Sequence, residues 1–407
     1  MNGLAAKRLD LGGSRLFVIG SLLIAAAAIA SVAVLLARGA VMDDWLSFYT
    51  FGLLVRTGNA AHLYDFSLQT AMHHELAGAD ASIIAYPLFV GALLAPLTWL
   101  SLDAGYIVWF AVNLALLGAL AWLSWRWLAD VAAPVRAVFL LCALTITMRA
   151  LLLGQVDLFV LSGFAGCYAL LRSGRPFTGG SIFALALIKP HLVVAVVLLL
   201  LFKRQWRALA GFSLAGGLLL IVPPLAVDPH LLVDQVRLMI SFTGATTGYG
   251  VDARMMINIR GTAVSLTGSS DPWLWLPPLA LTAAVAFGTA LRVWLVRAPL
   301  HAQSWALALT LPLLYSPHVH FQSLVLLTAA AALYLIDNQS SGRPPIQIKH
   351  ILFGLLGVTI LWAITFMGIA LMAFLIMAAY SAFSLRWPEP AARAASVPAR
   401  TALAFAA

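Results

Sequence analysis

The stretch LFVIGSLLIAAAAIASVAVLLA, residues 16–37, is an apolar run that contains no charged residue. In a helix, about 20 such residues are enough to cross the ~30 Å hydrocarbon layer of a bilayer. The run is too long for the core of a signal peptide, and no convincing cleavage site follows it. We therefore interpret it as a retained first membrane helix.

Further apolar runs recur along the whole chain. They lie at residues 106–125, 137–153, 158–171, 177–188, 191–202, 208–227, 273–296, 303–316, 319–336 and 351–384. The chain is 62% hydrophobic and 10% charged, whereas a soluble protein carries about 25% charged residues. The sequence therefore predicts an all-α fold, a polytopic transmembrane helical bundle with about eleven or twelve membrane segments.

We expect residues 1–385 to form a single transmembrane domain with two long outer loops, at 38–105 and 228–271. The first loop is expected to hold re-entrant or interfacial helices, including residues 86–100. A full crossing by those residues would invert the orientation of every later segment.

The end of the chain is harder to place from its pattern. We expect residues 351–384 to form a tight hairpin, because Arg386, Arg393 and Arg400 after it favour a cytoplasmic end. Residues 386–407 are expected to be a disordered tail.

The net charge of +9 comes from basic residues scattered singly between apolar runs. Such scatter does not indicate a nucleic-acid partner, but it does indicate topology, since basic residues favour cytoplasmic loops. With a cytoplasmic N-terminus, alternate connections hold Arg126, Arg136, Arg172, Arg175, Lys203, Arg204, Arg207, Arg297, Arg343 and Lys349. The long loops and polar turns then lie on the extracytoplasmic face of what we expect to be a bacterial inner (plasma) membrane.

Asp43 and Asp44 directly follow the first membrane helix, and the apolar residues after them repeat at helical spacing. A carboxylate at the mouth of a membrane cavity is suited to act as a general base towards a hydroxyl. An Asp at the start of a helix is also a common N-cap. The residues alone favour the capping role slightly.

Lys189 interrupts the apolar stretch at 184–201 and is followed by Pro190 and His191. A buried ammonium needs a partner, which an anion such as a lipid phosphate would supply at the end of a broken helix. A snorkelling interfacial lysine is the alternative. Arg149, Arg254 and Arg260 fall on the same expected face, and arginine suits bidentate phosphate binding.

Two polar turns complete the set of candidates. His318 and His320 lie just after Ser316-Pro317, where a neutral imidazole can bind sugar hydroxyls or phosphate. Gln155 and Asp157 follow Gly154 in a turn that is suited to a polyol or is an ordinary interfacial turn. We expect no metal and no cofactor, because the His-x-His pair lacks further ligands and no phosphate-binding loop is present.

Several short motifs appear in a fixed order. Asp44-Trp45-Leu46-Ser47-Phe48-Tyr49 is followed by Leu63-Tyr64-Asp65, Tyr86-Pro87-Leu88-Phe89, Leu153-Gly154-Gln155, Ile188-Lys189-Pro190 and Ser316-Pro317-His318. Together they resemble glycosyltransferase family 87, of the GT-C group. Two positions depart from the family pattern: Leu88 replaces a second proline, and Phe321-Gln322 stands where many relatives carry Tyr-Asp.

The resemblance implies a GT-C-like fold and metal-independent, inverting transfer of a hexose, often mannose. The donor would be a polyprenyl-phosphate sugar, and the acceptor a lipid or glycan of the cell envelope. It also implies that Asp44 is the catalytic base. We assign the donor phosphate to Lys189, Arg254, Arg260 and His320, and substrate binding to Asp43, Tyr49, Gln155 and His318. Membrane lipids are the other expected partners.

Two other functions suit the same pattern. A lipid-linked glycan transporter or flippase is also a helical bundle with intramembrane basic residues, and a glycan ligase or polymerase would move a preassembled glycan. Turnover of a lipid-linked monosaccharide separates the transferase from the transporter, and product size separates it from the ligase.

Overall fold

The structure, a computed structural model, describes residues 2–38, 43–129, 131–244, 253–295, 300–340, 376–377 and 379–381. Within these residues there is no β-strand, and the one extended pairing is an isolated antiparallel bridge between Met256 and His320. The all-α fold class is thus confirmed. The α-helices are α1 Asn2–Ala37, α2 Asp43–Arg56, α3 Phe66–Ala77, α4 Leu88–Leu94, α5 Leu102–Trp127, α6 Ala133–Leu152, α7 Asp157–Arg172, α8 Pro176–Phe183, α9 Pro190–Phe202, α10 Trp206–Leu220, α11 Val222–Val227, α12 His230–Gly244, α13 Ile259–Thr267, α14 Pro272–Leu295, α15 Ala302–Tyr315 and α16 Val325–Ser340.

Four helical stretches in the described residues are long and apolar enough to cross a membrane. They are Ser14–Ala37, Leu102–Trp127, Trp206–Val227 and Pro272–Leu295. Shorter apolar helices accompany them at Leu88–Trp99, Pro176–Ile188, Pro190–Phe202 and Phe321–Ile336. The chain is therefore a polytopic membrane bundle in which several helical segments are too short for a full crossing by themselves.

One short pair results from the break at Lys189. Helix α8 passes into a 3₁₀ helix, Ala184–Ile188, and α9 begins afresh at Pro190. Proline fits the first turn of a helix, where its missing N–H costs no hydrogen bond. The break places Lys189 between two helical segments, as its sequence position predicts.

The described part of the first long loop, predicted at residues 38–105, is largely helical. Helix α4 and the 3₁₀ helix Ala95–Trp99 follow each other directly, and together they span only about 20 Å, less than the ~30 Å bilayer core. Their length supports a re-entrant or interfacial placement. Residues 45–52 of α2 are buried on all sides, whereas a helix lying in the interface leaves one face uncovered.

Helix α15 is the centre of the bundle. Every residue from Ala302 to Leu314 is buried, and the helix contacts α9, α14 and α16. A helix that is apolar all round is stable only inside a larger protein. The turn at residues 316–320 follows the C-terminal end of this central helix. It therefore lies near the axis of the bundle, at one of its two ends.

Close helix packing elsewhere depends on small residues. A Cβ atom added to Gly180 of α8 would lie 1.8 Å from the Ala208 carbonyl oxygen of α10, and one added to Gly211 would lie 2.0 Å from the Phe177 carbonyl oxygen. Only glycine permits this approach, which is typical of membrane helix pairs.

Most of residues 351–384 and all of residues 386–407 lie outside the described residues, so the hairpin and the disordered tail stay predictions. Most of the described helices contribute to one continuous apolar core that extends from Ala28 to Tyr380, whereas Val264 of α13 forms a separate small cluster with Ala253 and Met256. The single-domain boundary at residue 385 also stays a prediction.

Candidate functional site

The N-terminal end of α2 packs against the turn that precedes α7. The Trp45 indole donates to the Leu102 carbonyl oxygen at 2.9 Å and stacks on Trp109, whose own indole donates to the Gly154 carbonyl oxygen at 2.7 Å. Gly154 has φ +76°, and its Cα hydrogen faces Trp45 so closely that an added Cβ would lie 3.1 Å from Trp45 Cβ. This contact fixes Asp44, the neighbour of Trp45, beside the Gln155–Asp157 segment.

Asp157 and Lys189 form a buried ion pair. Lys189 Nζ lies 2.7 Å from Asp157 Oδ2, and the two side chains are 7% and 2% exposed. Ser323 Oγ donates to the other carboxylate oxygen of Asp157 at 3.4 Å. The sequence predicted an anionic ligand as a partner of Lys189; the structure adds Asp157 as a partner within the protein, and the phosphate role of Lys189 stays a prediction.

Tyr86 joins this pair from the first long loop. Its hydroxyl is hydrogen-bonded to Lys189. Burial raises the pKa of Tyr86 to about 12; Lys189 lowers this pKa, and Asp157 and Asp44 raise it further. Tyr64 donates to the Tyr86 carbonyl oxygen at 2.9 Å, and the Phe48 ring packs on the Tyr86 ring. Tyr86 is thus held as a neutral phenol beside the ion pair.

Asp44 lies within electrostatic range of the same group. Burial alone would lower the pKa of Lys189, but Asp157, Tyr86 and Asp44 raise it, and the net shift is upward. Lys189 therefore stays charged, with two carboxylates near it. Asp44 itself is half-buried. The Asp157 carboxylate is therefore enclosed by the protein, whereas the Asp44 carboxylate is partly accessible from the surface of the protein.

Residues 256–258 of the second long loop are hydrogen-bonded to the turn that follows α15. Ile257 N donates to the Val319 carbonyl oxygen at 2.9 Å, next to the Met256–His320 bridge. Asn258 both caps α13, through Gly261 N, and donates to the Ser316 carbonyl oxygen at 2.7 Å. These bonds join two regions that are about 60 residues apart in sequence. Residues 256–258 and 316–320 together form one polar surface, which we call the floor of the site.

Three histidines and Lys189 meet at this floor. The rings of His318 and His320 are 4.8 Å apart and perpendicular. Burial, then His320, His191, Lys189 and Arg260, hold the pKa of His318 well below 6.5. His318 is therefore neutral at physiological pH. This polar surface thus combines a charged ammonium, that of Lys189, with a neutral imidazole.

The arginines occupy different positions. Arg260 is fully buried, lies 4.8 Å from the centre of the Trp275 ring, and donates from Nη1 to the Pro317 carbonyl oxygen at 3.5 Å. Arg254 is exposed in the 3₁₀ helix Ala253–Met255. The side chain of Arg149 lies outside the described part of the chain. Arg260 thus supports the late turn directly, and the phosphate role of each arginine stays a prediction.

The predicted substrate-binding residues also differ. Tyr49 is buried, and its hydroxyl donates to the Leu100 carbonyl oxygen at 2.8 Å, which gives it a packing contact in the first loop. Asp43 begins α2, but its side chain lies outside the described residues. Gln155 is 5% exposed, and no described residue donates a hydrogen bond to its buried Oε1. Its substrate role stays a prediction that this oxygen supports.

Sequence reasoning gave no role to Tyr86 or His191 and missed Asp157 as an ion-pair partner. Gln322 was noted only as a departure, yet its Oε1 is also buried without a hydrogen-bond partner among the described residues. The missed signal for Asp157 is the rule that ionisable residues within membrane helices pair with one another. Within the described residues, no three His, Cys, Asp or Glu side chains form a group that could hold a metal ion.

An all-α membrane bundle with carboxylates, a lysine and imidazoles gathered at one end is the architecture of a membrane-embedded transferase or transporter. The family comparison decides between these classes. The model of glycosyltransferase family 87 matches residues 84–317, more than half of the chain, and the chain belongs to this family. It is a membrane glycosyltransferase. No curated protein and no solved structure matches the chain.

The matched stretch contains one part of the site and leaves out another. Tyr86, Gln155, Asp157, Lys189 and Arg260 lie within residues 84–317. Asp44 precedes the match, and His318 and His320 follow it directly. Asp44, His318 and His320 therefore lie outside the matched residues. The contact of Trp45 with Gly154 and the hydrogen bond of Ile257 to Val319 attach them to the matched part of the chain.

Proposed function

We propose that this glycosyltransferase moves a hexose, mannose above all, from a polyprenyl-phosphate donor to a hydroxyl of a lipid or glycan acceptor, on the extracytoplasmic face. One observation carries the proposal: a half-buried carboxylate, Asp44, lies near a buried lysine, Lys189, which is also within electrostatic range of the neutral imidazole of His318. Such a site offers a base for the acceptor and an anion-binding surface for the leaving phosphate.

The proposed reaction is a single inverting displacement that needs no metal. The acceptor oxygen forms a bond to the anomeric carbon as the bond from that carbon to the phosphate oxygen breaks. Asp44 takes the acceptor proton, and the polyprenyl phosphate leaves with the bonding electrons. Because Asp44 is only half-buried, an acceptor can approach it from outside, which the buried Asp157 does not allow.

Lys189 is proposed to stabilise the departing phosphate with His320, Arg254 and Arg260. An ammonium has three N–H donors, and Asp157 and Tyr86 account for two of its neighbours. A phosphate can use the remaining donor without leaving Lys189 uncompensated when the product departs. Asp157 thus acts as a positioning residue that keeps Lys189 charged and fixed.

Gln155 and His318 are proposed to bind the sugar. The Oε1 of Gln155, which has no hydrogen-bond partner among the described residues, can accept from a sugar hydroxyl, and the neutral imidazole of His318 is proposed to contact the sugar beside it. Discrimination among hexoses arises when buried polar groups of the site pair with one substrate and not with its epimer.

The donor is tested with purified protein in liposomes. The panel would hold polyprenyl-phosphate mannose, polyprenyl-phosphate glucose, a nucleotide sugar and a lipid-linked oligosaccharide, each with a mixture of envelope lipids as acceptor. We expect a single mannose to be transferred, with inverted anomeric configuration, from the first donor alone. Transfer only from the nucleotide sugar would refute the donor class, transfer of a whole oligosaccharide would indicate a ligase, and movement of intact donor across the bilayer without transfer would indicate a flippase.

The face of the membrane needs its own experiment. Asp80, which is exposed in the first outer loop, and Arg175, which is exposed after α7, are replaced by cysteine one at a time in a background that lacks Cys142 and Cys167. An impermeant maleimide added to intact cells should label Asp80→Cys and spare Arg175→Cys. The reverse pattern would place the site in the cytoplasm.

A further inference from the structure

Two glutamine side chains near the Asp157–Lys189 pair are not held by hydrogen bonds. Gln155 is 5% exposed, and Gln322 is half-buried. The Oε1 atom of each is buried, and neither amide group forms a hydrogen bond with any residue in the described part of the chain. An unpaired buried amide is costly, so both side chains are suited to a partner from outside the protein.

Gln69 shows how a structural glutamine is bonded in the same protein. It is fully buried, its Nε2 donates to the Leu63 carbonyl oxygen at 2.8 Å and to the Ile84 carbonyl oxygen at 3.3 Å, and its Oε1 accepts from Ile84 N at 3.3 Å. Both ends of this amide are paired within the protein. Gln155 and Gln322 differ from Gln69 because neither end of their amides is paired with a described residue.

The backbone around each of these two glutamines is nevertheless fixed. Gln155 N donates to the Ala150 carbonyl oxygen at 3.0 Å, and Ser323 N donates to the His320 carbonyl oxygen at 3.0 Å, which closes a turn that contains Gln322. The terminal torsion of a glutamine has a broad energy profile, so each amide can turn to meet a ligand. Each residue thus offers an adjustable donor and acceptor from a fixed backbone position.

A hydrogen bond between Ser323 and Asp157 brings the two glutamines to the same part of the site. Ser323 Oγ donates to Asp157 Oδ1 at 3.4 Å, and Gln322 and Gln155 lie one and two residues before these partners. The 3₁₀ helix that contains Gln322 also contacts α6, which ends just before Gln155. Lys189 Nζ lies 2.7 Å from the other oxygen of Asp157. A sugar joined to a phosphate at Lys189 would therefore lie next to both glutamines.

The chemistry of an amide favours a hydroxyl over a phosphate as its ligand. An amide has one carbonyl acceptor and two N–H donors, and a hydroxyl both donates and accepts. The oxygens of a phosphate are acceptors, so they leave the amide carbonyl unpaired. The two glutamines are therefore better suited to the sugar than to the phosphate that carries it.

We propose that Gln155 and Gln322 together bind hydroxyl groups of the transferred hexose, and that Gln322 is a specificity-determining residue. This inference rests on the proposed function and adds Gln322 to its sugar-binding residues. Each amide turns so that its carbonyl accepts from one hydroxyl and an N–H donates to another. A hexose with one of these hydroxyls in the other configuration leaves an amide unpaired, which is how buried polar groups discriminate between substrates.

The first test is thermal unfolding of the full-length protein without substrate. Methionine, which is close to glutamine in size, replaces Gln155, Gln322 and Gln69 one at a time. Replacing an unpaired amide removes no hydrogen bond, so Gln155→Met and Gln322→Met should keep or raise the unfolding midpoint, whereas Gln69→Met should lower it. A fall in both variants as large as that in Gln69→Met would show that the two amides support the fold, and would overturn the ligand role.

The second test measures kcat/KM in liposomes with polyprenyl-phosphate mannose and with analogues that each lack one sugar hydroxyl. Gln322→Met should lose about fivefold with the complete donor, as expected for one neutral hydrogen bond. It should lose nothing further with the analogue that lacks the hydroxyl it contacts. The matched control is Gln205→Met at the far end of the bundle, where Gln205 Nε2 donates to the Lys203 carbonyl oxygen at 3.3 Å, and it should match the wild type with every donor.

Failure of this inference differs from failure of the proposed function. If Gln322→Met lost the same factor with every donor, or lost nothing with any of them, the hydroxyl contact would be refuted while the transfer reaction stood. If the wild-type protein used no lipid-phosphate hexose at all, the proposed function would be overturned and this inference with it.

Discussion

The two ends of helices α5, α7 and α15 are built on opposite principles. At the site end, the charged residues Asp157 and Lys189 are buried and compensate each other. At the far end, the charged residues Arg126, Arg172 and Arg175 are exposed and lie at the ends of helices. Exposed arginines cost little and report orientation, whereas buried charges cost several kcal/mol each and persist where function requires them.

This difference shows that burial and pairing of ionisable residues, and not their number, indicate the functional site in a chain of this composition. Charge count alone points to the far end, which has more basic residues. Burial and pairing point to the site end, where each ionisable group contacts another from a distant part of the chain. The variants below test whether the two ends respond differently to the same kind of change.

The largest effect is expected from Asp44→Asn. Loss of a general base lowers the rate of transfer by about 10²–10⁴-fold, with donor affinity little changed. The control is Asp103→Asn, an exposed carboxylate near the same end of the bundle, in the first turn of α5, which should retain normal transfer. Near-normal turnover by Asp44→Asn in a radiolabelled mannose assay would remove Asp44 from catalysis.

Breaking the buried pair should have the next largest effect. Lys189→Met leaves Asp157 buried without its cation, which costs about 3–5 kcal/mol of stability and lowers the midpoint of thermal unfolding. The double variant with Asp157→Leu should recover much of that stability but no activity, because the phosphate ligand is still absent. Arg175→Gln at the far end should leave both stability and activity unchanged.

If the double variant recovered activity together with stability, Lys189 would be a structural residue only. If Lys189→Met alone kept the wild-type unfolding midpoint, the ion pair would contribute nothing to the fold. Donor affinity, measured separately from turnover, distinguishes a phosphate-binding lysine from one that merely supports the site.

Gly154→Ala should have an intermediate effect. A side chain at φ +76° costs about 1–2 kcal/mol, and the new Cβ would also press on Trp45. Gly174→Ala at the far end has nearly the same φ, +75°, with no atom within 4 Å of the added Cβ. Both should lower the unfolding midpoint, but only Gly154→Ala should also reduce transfer; equal transfer by the two variants would contradict a positioning role for the Trp45 contact.

The smallest effect concerns pH. Because burial holds the pKa of His318 well below 6.5 in the folded protein, the unfolded chain binds the proton first as pH falls. The contribution of neutral His318 to stability is thus complete above about pH 6.5 and declines below it. The unfolding midpoint should fall less steeply from pH 7 to pH 5 in His318→Asn than in the wild type, and parallel curves would show that His318 does not titrate differently in the two states.

Part of the site was predictable from local pattern. Lys189 in an apolar run, the polar turn after Gly154 and the His-x-His pair each stand out because they violate the composition around them. Asp157 was noted as part of a turn that either binds a polyol or is an ordinary interfacial turn, because nothing local indicates that it faces a lysine 32 residues later. Tyr86 and His191 carry no local signal, since tyrosine and histidine at helix ends are common.

The sequence by itself determined the all-α membrane bundle, the broken helix at Lys189 and the end of each helix that carries polar groups. These follow from hydrophobicity and from the backbone constraint of proline, which act over a few residues. Only the tertiary structure decided that Asp157 pairs with Lys189, that Arg260 contacts the late turn, and that Gly154 lies against Trp45, the neighbour of Asp44. Those outcomes depend on which side chains from distant segments meet in a medium of low dielectric constant, and that is set by packing of whole helices.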